Sequence, residues 1–195
     1  MEDFVARYWP LVIQIVLGVS FLGTAWAYYL PLMWGAPWIP ARMSVVKRML
    51  QLAEVQPGQK VIDLGAGEGR IVIAAAHTFQ AQAVGVEIDP VRCLIANLLI
   101  RLRGLRGKAH VHWGNMYSFD LSDADVVTLY LWPSTNRRLT AKLASQLRPG
   151  AKVVAHHFSM INWIPTTVDT KKRIFVYEIG KETLDIRAML TQKET

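Results

Sequence analysis

The sequence predicts an α/β fold: a doubly wound, mostly parallel sheet that ends in an antiparallel hairpin and is preceded by one membrane-spanning helix. Three observations carry that expectation. From residue 61 to residue 156, short apolar runs of strand composition alternate with longer runs of helical period, the pattern of a parallel sheet with helices on both faces. The first of these units passes from strand to helix through a glycine-rich turn, Gly65-Ala66-Gly67-Glu68-Gly69. Ahead of it, the 34 residues between Arg7 and Arg42 carry no charge.

The uncharged run comes first along the chain. Residues 11–30 are interrupted only by Gln14, Ser20 and Thr24 among polar side chains, and about 20 apolar residues cross the roughly 30 Å hydrocarbon core of a bilayer. Tyr8 and Trp9 stand at one end and Trp26, Tyr28, Tyr29 and Trp34 at the other, as aromatic side chains do at the two membrane interfaces. Pro31 is expected to end or kink the helix. A cleaved leader would begin basic, whereas Met1-Glu2-Asp3 is acidic and the apolar run continues past Ala25-Trp26-Ala27. A helix lying on the membrane surface would show a charged face, and this one has none. Arg7 is offset by Glu2 and Asp3, while Arg42, Lys47 and Arg48 follow the run. Because the basic flank stays cytoplasmic, the expectation is a single-pass protein with its domain in the cytoplasm. The boundaries read as a membrane anchor over 1–34, a linker over 35–43 containing Pro37 and Pro40, and a domain over 44–195.

Within the domain, Val45, Val46, Met49, Leu50 and Ala53 share one helical face that should pack on the sheet. Pro57-Gly58 turns the chain into a strand over 61–64. A helix from Arg70, a strand over 83–88, a helix over 90–102, strands over 110–113 and 126–131, a helix over 136–147 and a strand over 152–156 follow. The end differs: residues 174–179 and 184–190 flank Gly180-Lys181-Glu182-Thr183, a hairpin signal. The single Cys93 lies in a helical run and has no partner for an internal disulfide. His156 and His157 are adjacent and point opposite ways in a strand, and no Cys/His spacing of a metal site occurs.

The glycine turn carries the chemistry. Strand, glycines and helix N-terminus together offer backbone N–H groups to a ligand. The spacing is G-x-G-x-G, and Asp63 stands two residues before the first glycine, where a pyrophosphate would meet its carboxylate. S-adenosylmethionine (SAM) has no phosphate and carries an ammonium and a sulfonium, so an acid there suits it. Glu87, at the end of the next strand and 22 positions after Gly65, can accept both ribose hydroxyls, as the acid of dinucleotide folds does.

From Asp63 to Ala76 the sequence resembles the class I, seven-strand SAM-dependent methyltransferases, and within them the membrane-associated protein-lysine methyltransferases of the ATP synthase c-subunit and adenine nucleotide translocase type. The segments Asp120-Leu121-Ser122-Asp123-Ala124-Asp125-Val126-Val127 and Leu131-Trp132-Pro133-Ser134 fit as well. The resemblance implies a Rossmann-like sheet, SAM as cofactor and a cofactor set of Asp63, Gly65, Ala66, Gly67, Gly69, Glu87, Ile88, Asn115 and Met116. Many members carry an acid against adenine where this chain has Asn115; an amide can pair with the adenine edge, and a turn asparagine is the equal alternative.

Methyl transfer needs a nucleophile with a free lone pair. A lysine of ordinary pKa 10.4 loses its proton at pH 7 at a cost of roughly 4–5 kcal/mol, which burial and a neighbouring cation lower. The segment Leu131-Trp132-Pro133-Ser134 should receive the nucleophile, Trp132 lining an apolar channel for a lysine stem. Asp120 is a possible proton acceptor; a loop or cap acid is its plainer reading. The leading reading is therefore a membrane-anchored SAM-dependent methyltransferase that N-methylates a protein lysine. A methyltransferase of a membrane lipid or small amphiphile, and a non-catalytic SAM-binding scaffold or sensor, are the alternatives. Residues 42–195 hold 21 bases and 13 acids. The bases are scattered except for Arg101, Arg103, Arg106 and Lys108, which read as a solvated helix end facing the membrane in preference to a nucleic-acid contact.

Overall fold

The computed structural model describes residues 2–34 and 40–181, and the chain forms two compact units, Met1–Trp38 and Ile39–Thr195. Among its described residues the first holds one helix, α1 (Glu2–Trp34). Its segment Arg7–Ala25, 19 residues of mean hydropathy 1.6 with none of the window buried, is long and apolar enough to cross a membrane by length and composition. Thr24 satisfies its hydroxyl inside the helix, its Oγ1 donating to the carbonyls of Ser20 (2.8 Å) and Phe21 (2.9 Å), so a polar residue sits in the run at little cost. Of the two expectations for Pro31, an end or a kink, the first is corrected, since α1 continues to Trp34. A proline three residues from the end removes one N–H bond and leaves the preceding ladder whole.

The second unit carries a seven-stranded sheet in the order β3-β2-β1-β4-β5-β7-β6. Five strands are parallel: β1 (Lys60–Leu64), β2 (Gln82–Glu87), β3 (Ala109–Trp113), β4 (Val126–Leu129) and β5 (Lys152–His156). β7 (Ile174–Glu178) runs antiparallel between β5 and β6 (Thr167–Asp169). The antiparallel hairpin is therefore β6–β7. The expected hairpin paired 174–179 with 184–190, but both edges of β7 are taken by β5 and β6, and residues 184–190 lie outside the described ones. β6 escapes a sequence reading because it has three residues, two of them exposed.

The central strands read as continuous apolar runs because both faces are covered. On one face α2 (Met43–Leu52), α3 (Arg70–Thr78) and α4 (Pro90–Leu102) bury Val46, Met49, Leu50, Ile71, Ala75, Ala96 and Ile100 against Val61 and Val126. On the other, α5 (Pro133–Gln146) buries Leu139 and Leu143 against Ile62, Leu64, Val127 and Leu129. Cys93 of α4 is buried in the first of these two cores as packing, its Sγ 3.2 Å from the Val111 carbonyl. Asn97 seals the outer edge of β3: its Oδ1 accepts from the Val111 N–H (2.9 Å) and its Nδ2 donates to the Val111 carbonyl (2.7 Å), which removes an open strand edge.

α5 begins at Pro133, three residues before the expected start, because proline at the first helical position has its φ preset and no N–H to satisfy. The strand order reverses at β1, with β2 on one side and β4 on the other. That reversal opens a crevice beyond the carboxyl ends of the parallel strands, the usual ligand position of such sheets.

Candidate functional site

The glycine turn is pinned on the end of β2. Gly65 N–H and Ala66 N–H both donate to the Val86 carbonyl, at 2.9 and 3.0 Å. Gly65, Gly67 and Gly69 have φ of +80°, +54° and +74°, conformations in which a side chain is strained. Gly69 caps α3, and its N–H donates to the Ala66 carbonyl at 2.8 Å. A second glycine requirement comes from below the turn: a methyl group at Gly85 of β2 would stand 2.6 Å from the Ala66 Cβ. Gly85 is what lets the turn settle on the sheet, and the sequence reading gave it no role.

Glu87 gathers three loops. Its Oε2 accepts from Gly67 N–H at 2.7 Å, its Oε1 accepts from Asp89 N–H at 3.0 Å, and its main-chain carbonyl accepts from Gly114 N–H at 2.9 Å. The carboxylate is 7 % exposed, at the rim of the crevice. Asp63 lies deeper, 3 % exposed, and its Oδ1 accepts from Thr128 Oγ1 at 2.7 Å. Burial raises its pKa from 3.8 to about 7, the charge of Glu87 adds to the rise, and the Thr128 hydrogen bond opposes it. Two buried acids at adjacent strand ends beside the turn make a place for positive charge and disfavour a pyrophosphate. The donor set fits SAM: the acids match its ammonium, its sulfonium and its ribose hydroxyls.

The remaining cofactor candidates sit on the same rim. Ile88 is half-buried, and its carbonyl accepts from Trp113 Nε1 at 3.1 Å. Asn115 is exposed and builds a turn, its Oδ1 accepting from Tyr117 N–H at 2.9 Å and its carbonyl from Ser118 and Phe119 N–H. Its side-chain oxygen is thus committed to structure. Met116 is half-buried and packs against the second core.

Across the crevice, Leu131 is buried against the glycine turn; a methyl group at Gly65 would come within 2.8 Å of its Cδ2. Trp132 is 47 % exposed, with its ring centroid 6.4 Å from that of Phe158. Pro133 and Ser134 are exposed in the first turn of α5 and not in a free loop. Asn136, buried in that turn, donates from Nδ2 to the Phe158 carbonyl at 3.2 Å, which ties the helix start to the segment after β5.

Two residues without an assigned role also meet here. Tyr130 and His156 follow the register pair Leu129↔Ala155, and their rings stand 4.5 Å apart. His156 Nδ1 lies 3.3 Å from the Arg173 carbonyl. A carbonyl only accepts, so a neutral ring donates from Nδ1 and keeps its lone pair on Nε2. Burial lowers the His156 pKa, which favours that neutral form. The only sequence signal for this pair was position at two strand ends; their contact required knowing that β4 and β5 are neighbours.

Asp120 is not brought to this crevice. It is exposed, and its carboxylate accepts from Ser122 N–H at 3.0 Å and Ser122 Oγ at 2.9 Å. These hydrogen bonds hold its pKa below the ordinary range, which makes it a poorer proton acceptor. Its neighbour Leu121 is buried and donates its N–H to the side chain of Gln146, the last residue of α5. α5 starts at the crevice and runs away from it, so Asp120 lies toward the opposite end of the sheet.

Comparison with known proteins points to methyltransferases. A family model described as the ANTKMT methyltransferase domain matches residues 63–167. A protein-lysine N-methyltransferase of Saccharolobus islandicus is 39% identical over 152 residues, covering 74% of this chain and 94% of that protein. The adenine nucleotide translocase lysine N-methyltransferase of Mus musculus is 32% identical over 165 residues, covering 80% of this chain and 72% of the relative. Among solved structures, an RNA methyltransferase from Salinibacter ruber in complex with S-adenosyl-L-homocysteine superposes with a TM-score of 0.71 at 41% identity, covering 74% of this chain and 95% of that one.

Proposed function

The chain belongs to the ANTKMT methyltransferase domain family, and from that premise we propose that it transfers a methyl group to a lysine side-chain nitrogen of a protein at a membrane. It is a SAM-dependent methyltransferase. The observation that carries the finer reading is the pairing of two acids at the strand ends beside the glycine turn with an apolar, aromatic approach on the other side of the crevice.

In this reading Asp63, Gly65, Ala66, Gly67, Gly69 and Glu87 hold SAM, with Ile88, Asn115 and Met116 along its adenosine part. When bound, SAM supplies an electrophilic methyl group on a sulfonium. Glu87 orients the ribose hydroxyls with lone pairs left beyond its two backbone bonds. Buried Asp63 favours positive charge near the turn. Leu131 and Trp132 cover the aliphatic stem of the incoming lysine, which excludes water and lowers the cost of a neutral amine. His156 Nε2 accepts the proton that the ammonium loses, a short-range role that positioning makes effective. α1 anchors the enzyme, and the cations after it keep the domain on the cytoplasmic side.

The lysine reading is supported by the named activity of both protein relatives; the RNA methyltransferase likeness defines the competing substrate. Purified enzyme incubated with methyl-labelled SAM and native membranes separates them. Label in protein that survives delipidation and ribonuclease, and is recovered as methyl-lysine after acid hydrolysis, is the expected result. Label in the lipid extract or in RNA overturns it, and SAM binding without label makes the chain a scaffold.

A further inference from the structure

α4 turns a row of large aliphatic side chains away from the sheet. Cys93, Ala96 and Ile100 face the sheet, while Val91, Leu94, Leu98 and Leu102 are each more than half exposed and Ile95 is 40 % exposed. Positions 91, 94, 95, 98 and 102 follow one helical stripe along the whole length of α4. A contiguous apolar patch of this kind marks a surface meant to be covered.

Positive charge borders the stripe. Arg101, Arg103, Arg106 and Lys108 cluster at its C-terminal end. Beside it, a groove of about 610 Å³ between α2, α3 and α4 is lined by Met43, Lys47, Arg70, Leu99 and Arg103, with Glu68 and His77 on its wall. Glu68 is paired with Arg70 at 3.6 Å. Trp113, 65 % exposed, is held by its Nε1 on the Ile88 carbonyl, just before α4 begins. Met43 and Lys47 follow the end of α1 by only nine and thirteen positions in the chain.

We propose that the α4 stripe and the adjoining basic groove form a face that rests on an anionic bilayer, its aliphatic side chains at the headgroup–acyl boundary and its arginines and Lys47 on lipid phosphates. The proposal rests on the reading of α1 as a membrane span. The combination selects the occupant. A bilayer surface offers both an apolar layer and phosphates. A nucleic acid offers phosphates but rewards stacking aromatics over an aliphatic stripe. A second copy of this chain would bring cations of the same sign to the rim. Because α4 begins three residues after Glu87, docking on this face sets the cofactor edge of the sheet beside the headgroups, where lysines flanking a membrane segment are presented.

The test uses the full-length chain in a Cys93→Ala background, reconstituted in nanodiscs of phosphatidylcholine with or without phosphatidylglycerol, the acyl chains carrying bromine as a fluorescence quencher. A bimane label is placed in turn by Val16→Cys in α1, Leu94→Cys in α4, and Ala141→Cys on the exposed side of α5 as reference. SAM affinity of each variant, unchanged from the parent, establishes that it folds. The expected result is quenching at 16 in both discs, quenching at 94 several-fold stronger in discs with phosphatidylglycerol, and none at 141. Arg101→Glu with Arg103→Glu abolishes the lipid dependence at 94. Quenching at 16 with none at 94 overturns the docking face and leaves the span intact. No quenching at 16 overturns the span and, with it, the docking face. Shielding of the label at 94 by added RNA, or by raised protein concentration instead of lipid, also overturns the proposal and names the other occupant.

Discussion

Glu87 Oε2 accepts from the Gly67 N–H at 2.7 Å, so the acid at the end of β2 holds the middle of the glycine turn that follows β1. One carboxylate thereby fixes the glycine turn and, in the proposed reading, presents oxygens to the ribose. Glu87→Ala removes two charge-assisted bonds, to Gly67 and Asp89, each worth roughly 1.5–3 kcal/mol. SAM affinity should fall by at least about 100-fold, which corresponds to roughly 2.7 kcal/mol. Calorimetric titration checks this; affinity within a few-fold of the parent would remove Glu87 from the cofactor site.

Asp63 should make SAM binding pH-dependent. Its pKa in the free protein is about 7 against an ordinary 3.8, so between these values the folded protein holds a proton that the unfolded chain has lost. This group's contribution to stability therefore falls as pH rises from about 4 to about 7. A cationic ligand pulls the pKa down and expels the proton. SAM affinity should rise with pH up to about 7 and then level off. At pH 6, calorimetry in buffers of different ionisation enthalpy should detect close to one released proton per SAM. Asp63→Asn should flatten the pH dependence and abolish the proton release; an unchanged release assigns it to another group.

Gly85→Ala tests whether the turn depends on the strand beneath it. The new methyl group would lie 2.6 Å from Ala66 Cβ and 3.0 Å from Val72 and Val111 Cγ2 atoms. Overpacking of this kind costs about 1–3 kcal/mol, or roughly 2–12 °C of Tm in a domain of this size. SAM affinity should fall with it because Ala66 belongs to the cradle. Gly58→Ala, at a positive φ of +80° with open space around it, should lower Tm and leave SAM affinity unchanged.

The half of the candidate site that we assign to the cofactor was legible because its signals are local. Asp63, three glycines and Glu87 lie at strand ends whose positions the apolar pattern gives directly. The half that we assign to the acceptor was not, because it is assembled by pairing. Tyr130 meets His156 only through the β4–β5 register, and Phe158 meets Trp132 only through the tie from Asn136. Asp120 looked available until burial of Leu121 drew its loop to the far end of the sheet. The α4 stripe was hidden for another reason. Residues 90–102 are apolar on both sides, and periodicity alone does not say that Ala96 faces the core and Leu94 the outside.

His156 is the sharpest test of the acceptor half. Burial holds its pKa below the ordinary histidine value of 6.5, so the ring is neutral at pH 7 and able to take a proton at Nε2. Lowering the pH charges the ring, and kcat should fall on the acid side, with its midpoint below 6.5. His156→Ala removes the proton acceptor and should lower kcat about 100-fold, within the range typical of a positioned base. The KM for SAM should not move, since the proposed cofactor cradle lies at the ends of β1 and β2. The loss should shrink as pH rises toward 10, where the substrate amine loses its own proton to solvent. Tyr130→Phe keeps the 4.5 Å ring contact and should leave kcat nearly intact. A His156→Ala enzyme with parental kcat and pH profile would leave proton loss to solvent alone and reduce His156 to packing against Tyr130.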